Sequence, residues 1–259
     1  MQKSNRRRTI FKPSRRLVFA ALISVFIIAG AIAAINLMIT ERNYTVAQDE
    51  YDDLRQFAPA TQATAAEPQQ PVTDPEDEDE DDLKEEPAIE IMPNLVEFNP
   101  DYIGWIRIYG TQIDYPVVRG PDNDKYLNTT FRGGRNPSGT IFMDYRCVEG
   151  FSNFAILHGH NMKNGSMFSG LHNFRESGFL DTYNEIIIFT HYEEMLIYRI
   201  IDVFITDMSD EIFSLPEMEK HDIDTYFAQM NIQDSANILV LSTCTAGHRD
   251  ERLLVIAER

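Results

Sequence analysis

The sequence predicts a mainly β domain: an eight-stranded, closed or nearly closed β-barrel with short peripheral helices, preceded by one transmembrane helix and a disordered acidic linker. Eight short runs rich in β-branched and aromatic residues occupy the C-terminal two thirds of the chain, and turn-forming segments such as "RGGRNPSG" separate them. An uncharged apolar run near the N-terminus and a strongly acidic stretch after it predict the helix and the linker.

The N-terminal segment, residues 1–16, carries seven lysine and arginine residues and no acidic one. The run that follows, residues 17–40, has no charged residue. As a helix it would be about 36 Å long, against a hydrocarbon core of about 30 Å, so we predict a transmembrane helix. A cleaved signal peptide is the alternative. The sequence "AIAA" would suit cleavage, but the apolar run is longer than the core of such a peptide.

The charges on either side of this helix predict its orientation. Basic residues precede it and acidic residues follow it, so the positive-inside rule places the N-terminus in the cytoplasm. Everything from Glu41 onward should then lie outside the cell. We therefore expect a single-pass protein of the cell membrane with an extracellular domain.

Residues 41–88 are predicted to form an extended acidic linker. They are polar and include "DPEDEDEDDLKEE" at positions 74–86, without apolar periodicity. A cation-binding or partner-binding role for this stretch is the alternative to a solvated spacer. The formal net charge is −18 and basic residues cluster only at the extreme N-terminus, which argues against nucleic acid as a partner.

The globular domain is predicted to span residues 89–259. Its strands are expected, in order, in "WIRIYG", "IDYPVV", "GTIFMDY", "NFAILHGH", "EIIIFTHY", "EMLIYRIIDVFIT", "NILVLSTC" and "RLLVIAER". Short helices are expected in "PNLVEFNPDYIGW", "SMFSGLHNFRE" and "HDIDTYFAQMN". A closed barrel accounts for this pattern because closure removes exposed strand edges.

Cys244 is the first candidate for chemistry, because it ends an apolar strand at the point where the chain leaves the sheet. A hairpin to the next strand would bring Arg252 to the neighbouring strand end. A cationic neighbour favours the thiolate, and a guanidinium group can also stabilise an oxyanion. The alternative is that Cys244 is a small buried hydrophobic residue.

A nucleophilic cysteine needs an acid-base partner, and "NFAILHGHNM" offers His158 and His160 on one face of a strand. Alternation does not separate the two, and His248 competes from the hairpin beside Cys244. A metal site on His158 and His160 lacks a third ligand at telling spacing. We predict no metal and no cofactor.

Several of these motifs together resemble the sortase family, the membrane-anchored cysteine transpeptidases of Gram-positive bacteria. The motifs "GHNMKNGSMF", "LSTC" and an arginine opening an apolar strand carry the resemblance, over about residues 90–259. Class B sortases are resembled by "GWIRIYGTQIDYPVV", "YLNTTF" and "GTIFMDYR". The resemblance implies catalytic roles for His160, Cys244 and Arg252, in preference to Arg249 in the hairpin.

The resemblance also implies a reaction and its partners. The Cys244 thiolate would attack a C-terminal sorting pentapeptide of a secreted protein and form a thioester, which an amine of a cell-wall precursor or a pilin would then discharge. Arg252 would stabilise the oxyanion, and His160 would act as acid and then as base. The segment from Met208 to Gln233 would line the substrate groove.

Two other functions stay open on the sequence. One is a non-catalytic, membrane-tethered binding domain on the same scaffold, and the other is a cell-wall cysteine peptidase that transfers to water. Cys147 has no role in the resemblance. It is expected to be a surface thiol, with a redox partner of Cys244 as the alternative.

Overall fold

The computed structural model describes residues 15–59, 95–192, 194–230, 232, 235–247 and 250–259. All eight predicted strands form, and they close into a barrel in the order β1-β2-β3-β4-β7-β8-β6-β5. The strands are β1 Tyr102–Arg107, β2 Asp114–Val118, β3 Ile141–Met143, β4 Ala155–His158, β5 Glu185–Thr190, β6 Met195–Asp207, β7 Ile238–Cys244 and β8 Glu251–Glu258. The predicted fold class is confirmed.

Strand pairing is antiparallel except at two places. β2 pairs with β3 in parallel, and β4 pairs with β7 in parallel. The second of these pairs brings the end of β4, at His158, beside Ser242 of β7. Because β7 also pairs with β8, three neighbouring strands, β4, β7 and β8, form one continuous surface.

The helices are short apart from the first. They are α1 Arg15–Arg55, α2 Leu95–Phe98, α3 Phe179–Thr182 and α4 Lys220–Ala228. The helix expected in "SMFSGLHNFRE" forms as a 3₁₀ helix, Phe168–Arg175, and α4 occupies the segment "HDIDTYFAQMN". These helices are peripheral to the barrel, as expected for a mainly β domain.

Two hydrophobic clusters lie on opposite faces of the β4-β7-β8 surface. The inner cluster fills the barrel and includes Leu157, Leu241 and Val255. The outer cluster covers the other face, where the connection between β6 and β7 packs on the strands. The outer cluster comprises, among others, Ile156, Val240 and Leu254 from the strands and Ile212, Leu215 and Phe227 from the connection. The alternation of side chains along each strand divides the two sets.

Helix α1 contains the predicted transmembrane segment. By length and composition its region from Leu22 to Arg55 is able to cross a membrane. Large apolar side chains between Leu22 and Met38 are exposed to solvent in the structure, as they would be on a helix meant for lipid. The span 17–40, its orientation and the basic segment 1–16 remain predictions. Residues 1–14 lie outside the described residues.

The first part of the predicted linker differs from the expected extended chain. α1 continues to Arg55, and the segment from Ala47 belongs to the same compact unit as the barrel. Ala47, Tyr51 and Leu54 are buried and recur at helical spacing, so they form an apolar stripe. The remainder of the predicted linker, residues 60–88, lies outside the described residues.

Polar contacts fix this docked segment in place. The Tyr51 hydroxyl donates to the Gly139 carbonyl and lies 3.2 Å from Thr140 Oγ1. The Glu50 carboxylate accepts from Thr130 Oγ1 at 2.8 Å and from the Arg132 backbone N–H at 2.9 Å. Residues that read as acidic linker thus contribute to the fold of the domain.

Leu54→Ala is expected to lower the free energy of unfolding of the barrel by about 2–5 kcal/mol, because it removes a fully buried side chain and leaves a cavity. Chemical denaturation of the full chain in detergent, followed by tryptophan fluorescence of buried Trp105, measures the change. Asp49→Ala, on the exposed side of the same helix, is the matched control. Equal stability of Leu54→Ala and the unaltered protein would contradict the docking.

Candidate active site

The site lies on the outer face of β4, β7 and β8, beside the outer cluster. Cys244 is directly opposite Arg252 in the β7–β8 pair, and Ser242 is beside His158 in the β4–β7 pair. Paired residues share a face of a sheet, and so do residues two apart along a strand. His158, Ser242, Cys244 and Arg252 therefore share one face.

A cavity of about 450 Å³ opens at this end of the face. All three residues predicted for the site, His160, Cys244 and Arg252, line it together. The other lining residues are Asn123, Asp124, Leu127, Thr140, Phe142, His158, Gly159, Met208, Ser242 and Thr243. Among the described residues of the expected groove segment, Met208 is the one that lines the cavity. The structure thus brings the predicted residues together, while their chemical roles remain predictions.

The backbone of Leu127 holds the His160 ring in place. Its Nε2 lies 2.8 Å from the Leu127 carbonyl oxygen. A carbonyl only accepts, so Nε2 carries the proton in this contact, and Nδ1 is the nitrogen left for exchange with a substrate. The backbone carbonyl of His160 also accepts from the Phe168 N–H at 2.9 Å.

The position directly before His160, that of Gly159, has no room for a side chain, so it has to be glycine. A Cβ atom there would lie 2.5 Å from Ile141 Cδ1 and 2.6 Å from the Phe168 ring. Its carbonyl accepts a hydrogen bond from Thr243 Oγ1 at 2.8 Å, and its N–H donates to the Ser242 carbonyl at 3.2 Å. The close approach ties the chain before His160 to the strand that ends in Cys244.

The Cys244 backbone is anchored by two side chains that sequence reasoning missed. Its carbonyl lies 3.0 Å from Asn161 Nδ2 and 3.1 Å from His172 Nε2, and both nitrogens can donate to it. Asn161 follows His160 directly, so the dipeptide "HN" was the available signal. His172 comes from the 3₁₀ helix Phe168–Arg175 and no local pattern marked it. The Cys244 side chain is partly exposed.

Arg252 begins the face of β8 that borders the cavity. Its Nη1 donates to the Glu251 carbonyl at 2.9 Å, which holds the guanidinium group near the strand end. The two residues that competed with the predicted set, His248 and Arg249, lie outside the described residues. Arg252 lies opposite Cys244 in the β7–β8 pair, and the choice of Arg252 over Arg249 stays a prediction.

Asp144 is a further residue near the cavity that sequence reasoning missed. Its side chain is 1% exposed and lies behind the cavity. It accepts from Asn123 Nδ2 at 2.9 Å, from Arg146 Nε and Nη2 at 2.8 Å each, and from His158 Nε2 at 3.4 Å. Burial raises the pKa of this carboxyl, but the hydrogen bonds from Arg146 and His158 outweigh burial and hold the pKa below its usual range.

The lowered pKa of Asp144 predicts acid-sensitive stability. The group has a lower pKa in the folded state than its unfolded value of about 3.9, so its stabilisation is present above that value and is lost as pH falls through the folded pKa. We expect Asp144→Asn to lose about 2–3 kcal/mol of unfolding free energy at neutral pH, and the difference to shrink below about pH 4. Denaturant titrations across this range measure it, with exposed Asp181→Asn as control. A difference that is constant with pH would contradict the assignment.

Cys147 corrects an expectation. It is 5% exposed and packs in the inner cluster, so the expected surface thiol is wrong. The reason is that the chain turns inward after β3, where the Cys147 N–H donates to the Asp144 carbonyl at 3.0 Å. Burial raises the pKa of the thiol to about 12, which disfavours the thiolate. Both cysteines are free.

Metal binding has no support in the part of the chain that the structure describes. Among those residues no group of three histidine, cysteine, aspartate or glutamate side chains is arranged to hold an ion. His158 is paired with Asp144, and His160 with a backbone carbonyl.

A closed eight-stranded barrel whose outer face joins a cysteine, an arginine and a histidine in one cavity defines the class of protein. A sortase domain model matches residues 106–259, and the chain belongs to the sortase family. Sortase B of Listeria monocytogenes is 31% identical over 165 residues, which are 59% of this chain and 66% of the relative. Within the family this chain is a class B-like sortase.

Solved structures agree in fold. Sortase B of Clostridium perfringens has 29% identity and a TM-score of 0.55, over 64% of this chain and 97% of that one. The Staphylococcus aureus sortase B-substrate complex has 25% identity and a TM-score of 0.56, over 63% of this chain and 82% of that one. The sortase model matches residues 106–259, which lie in the barrel domain.

Proposed function

We propose that this chain is a membrane-anchored cysteine transpeptidase that cleaves a C-terminal sorting pentapeptide of secreted proteins and transfers the acyl group to an amine. The observation that carries the proposal is the cavity in which His160, Cys244 and Arg252 meet, with Cys244 in register with Arg252. The activity belongs with the thiol peptidases, since the first half of the reaction breaks a peptide bond.

In the first half-reaction the Cys244 thiolate attacks the scissile carbonyl of the bound peptide. A carbon–sulfur bond forms, and negative charge develops on the carbonyl oxygen. Arg252, opposite Cys244, donates to this oxyanion. His160, as imidazolium, gives the proton on Nδ1 to the leaving amine, while Nε2 remains bound to Leu127. The carbon–nitrogen bond then breaks and leaves a thioester.

In the second half-reaction an amine attacks the thioester carbon. A carbon–nitrogen bond forms, and the neutral His160 takes a proton from the attacking nitrogen. The carbon–sulfur bond breaks, and Cys244 leaves as thiolate. The enzyme returns to its starting state of thiolate and imidazolium. The acceptor class we propose is an amine of a cell-wall precursor or of a pilin.

Location and tethering fit this activity. A helix able to cross a membrane would hold the barrel close to substrates that arrive through the same membrane, which raises their effective concentration. The S. aureus relative has been solved as a sortase B-substrate complex, which supports substrate binding by a protein of this fold. We propose that this chain is a cell-membrane protein of a Gram-positive bacterium and that its catalytic domain lies outside the cell, at the cell wall.

Two alternatives predict different behaviour. A non-catalytic binding domain would leave Cys244 without a chemical role, yet this thiol is partly exposed in a cavity that it shares with an imidazole and a guanidinium group. A cysteine peptidase would use the same residues and transfer to water. The dependence of product on an added amine separates a peptidase from a transpeptidase.

The proposal is tested with the full chain in detergent micelles and a pool of peptides that carry candidate sorting sequences. Intact-protein mass spectrometry should detect an acyl adduct, and peptide mapping should assign it to Cys244 and leave Cys147 unmodified. An added amine should then discharge the adduct and form an amide product. Absence of any adduct, together with an unreactive Cys244 toward a small alkylating agent, would favour the binding domain.

A further inference from the structure

The cavity contains a second imidazole, which the reaction above does not use. His158 lies two residues before His160 on the same face. Its side chain is 19% exposed. Its ring packs on Phe142 with 5.2 Å between ring centres. The ring is therefore fixed in position and still reaches the cavity.

The Asp144 carboxylate determines which nitrogen of His158 carries the proton. Because the pKa of Asp144 is held low, its oxygens are acceptors, and His158 Nε2 must be the donor in their 3.4 Å contact. In the neutral ring Nδ1 then carries the lone pair, and Nδ1 has no hydrogen-bond partner among the described residues. The result is an oriented imidazole that is able to accept a proton.

Arg146 compensates the charge of Asp144. Its guanidinium group binds both carboxylate oxygens, and it also donates to the Phe213 carbonyl at 2.9 Å and to Glu217 at 2.9 Å. Asp144 consequently acts on His158 mainly by fixing the ring. This arrangement resembles the orienting role of the carboxylate in other acid-base pairs.

Charged groups of both signs surround His158. Asp124 lies in the loop before β3, and Asp144 and Arg146 follow β3. His160 follows β4, and Cys244 and Arg252 lie at the ends of β7 and β8. Asp124 is exposed and lines the cavity next to Asn123, which is itself bound to Asp144. Asp124 therefore contributes an exposed carboxylate to the wall of the cavity that also contains His158.

We propose that His158, positioned by Asp144, deprotonates the acceptor ammonium group before it attacks the thioester. This inference rests on the proposed transpeptidase function. The ammonium group gives one proton to His158 Nδ1 and becomes a free amine. The amine attacks the thioester and gives its second proton to His160, and the carbon–sulfur bond breaks. His158 later releases its proton to solvent, so each turnover releases one proton from the acceptor.

The test compares two acceptors on the preformed acyl enzyme. An alkylammonium acceptor, such as a glycine peptide, needs deprotonation at neutral pH, whereas hydroxylamine is already neutral and does not. For His158→Gln we expect unchanged acylation of Cys244 and a fall of up to about 10-fold in discharge by the glycine peptide at pH 7, where about a tenth of its α-amino groups is already free. Discharge by hydroxylamine should stay close to that of the unaltered protein.

Two further variants complete the experiment. Asp144→Asn should shift the ratio of the two discharge rates in the same direction and by less, because it loosens the ring and leaves Nδ1 in place. His191→Gln, an exposed histidine on the β5–β6 hairpin, should leave the ratio unchanged. If His158→Gln does not fold, His158→Phe replaces it, since a phenyl ring preserves the packing on Phe142.

The outcomes separate the inference from the function on which it rests. Equal losses with both acceptors would make His158 a purely structural residue and overturn the inference, and so would no loss with either. If the unaltered protein forms no adduct with any peptide, the proposed function itself fails. A selective loss with the ammonium acceptor supports both.

Discussion

Cys244→Ala is expected to abolish the acyl adduct and to lower the rate of peptide cleavage by at least about 10⁴-fold, because no other group near the cavity can form the thioester. Cys244 is the cysteine that lines the cavity, and Cys147 is buried in the inner cluster. Single-turnover experiments with quantitative mass spectrometry measure both quantities.

The matched control is Cys147→Ala. Loss of this buried thiol should reduce stability while the adduct still forms at Cys244, because Cys147 packs in the barrel and its raised pKa disfavours the thiolate. An adduct on the Cys244→Ala protein, or its loss in a folded Cys147→Ala protein, would show that the nucleophile has been assigned to the wrong cysteine.

Arg252→Lys is expected to lower the rate of acylation by about 10²–10³-fold and to leave the reactivity of Cys244 toward a small alkylating agent nearly unchanged. The lysine keeps the charge, but it lacks the planar fork of donors that a guanidinium group presents to an oxyanion. Pre-steady-state acylation with a sorting peptide gives the rate, and alkylation gives the accessibility of the thiol.

Arg249→Lys is the paired variant, because Arg249 was the rival assignment on the sequence. Arg252 lies opposite Cys244 in the β7–β8 ladder, so we expect its replacement to have the larger effect by far. A greater loss from Arg249→Lys would reassign the oxyanion donor to the hairpin.

Much of the fold could be predicted because strand formation here is a local property. Runs such as "NILVLSTC" combine β-branched residues with turn signals on either side, and each of the eight runs forms a strand. The positions of Cys244 and Arg252 followed from the same reasoning, since two strands joined by a short hairpin have their ends together. His160 needed the family resemblance, because alternation places His158 on the same face.

Other features depend on contacts between distant segments. Asp144 resembles an ordinary polar residue after a strand, and only the fold brings His158 to it, whereas Arg146 is its neighbour two residues along the chain. The docking of α1 was missed because the acidic character of its surroundings obscured the apolar stripe of Ala47, Tyr51 and Leu54. The burial of Cys147 likewise depends on how the chain turns after β3, which composition does not reveal.

The outer cluster has a consequence for protein engineering. The connection between β6 and β7 covers the outer face with Ile212, Leu215 and Phe227, yet it contributes no strand to the closed barrel. Arg146 attaches it next to the cavity through the Phe213 carbonyl and Glu217. The connection thus shares Arg146 with Asp144, which holds His158, so a redesign of this segment has to keep its buried apolar residues if the cavity is to stay intact.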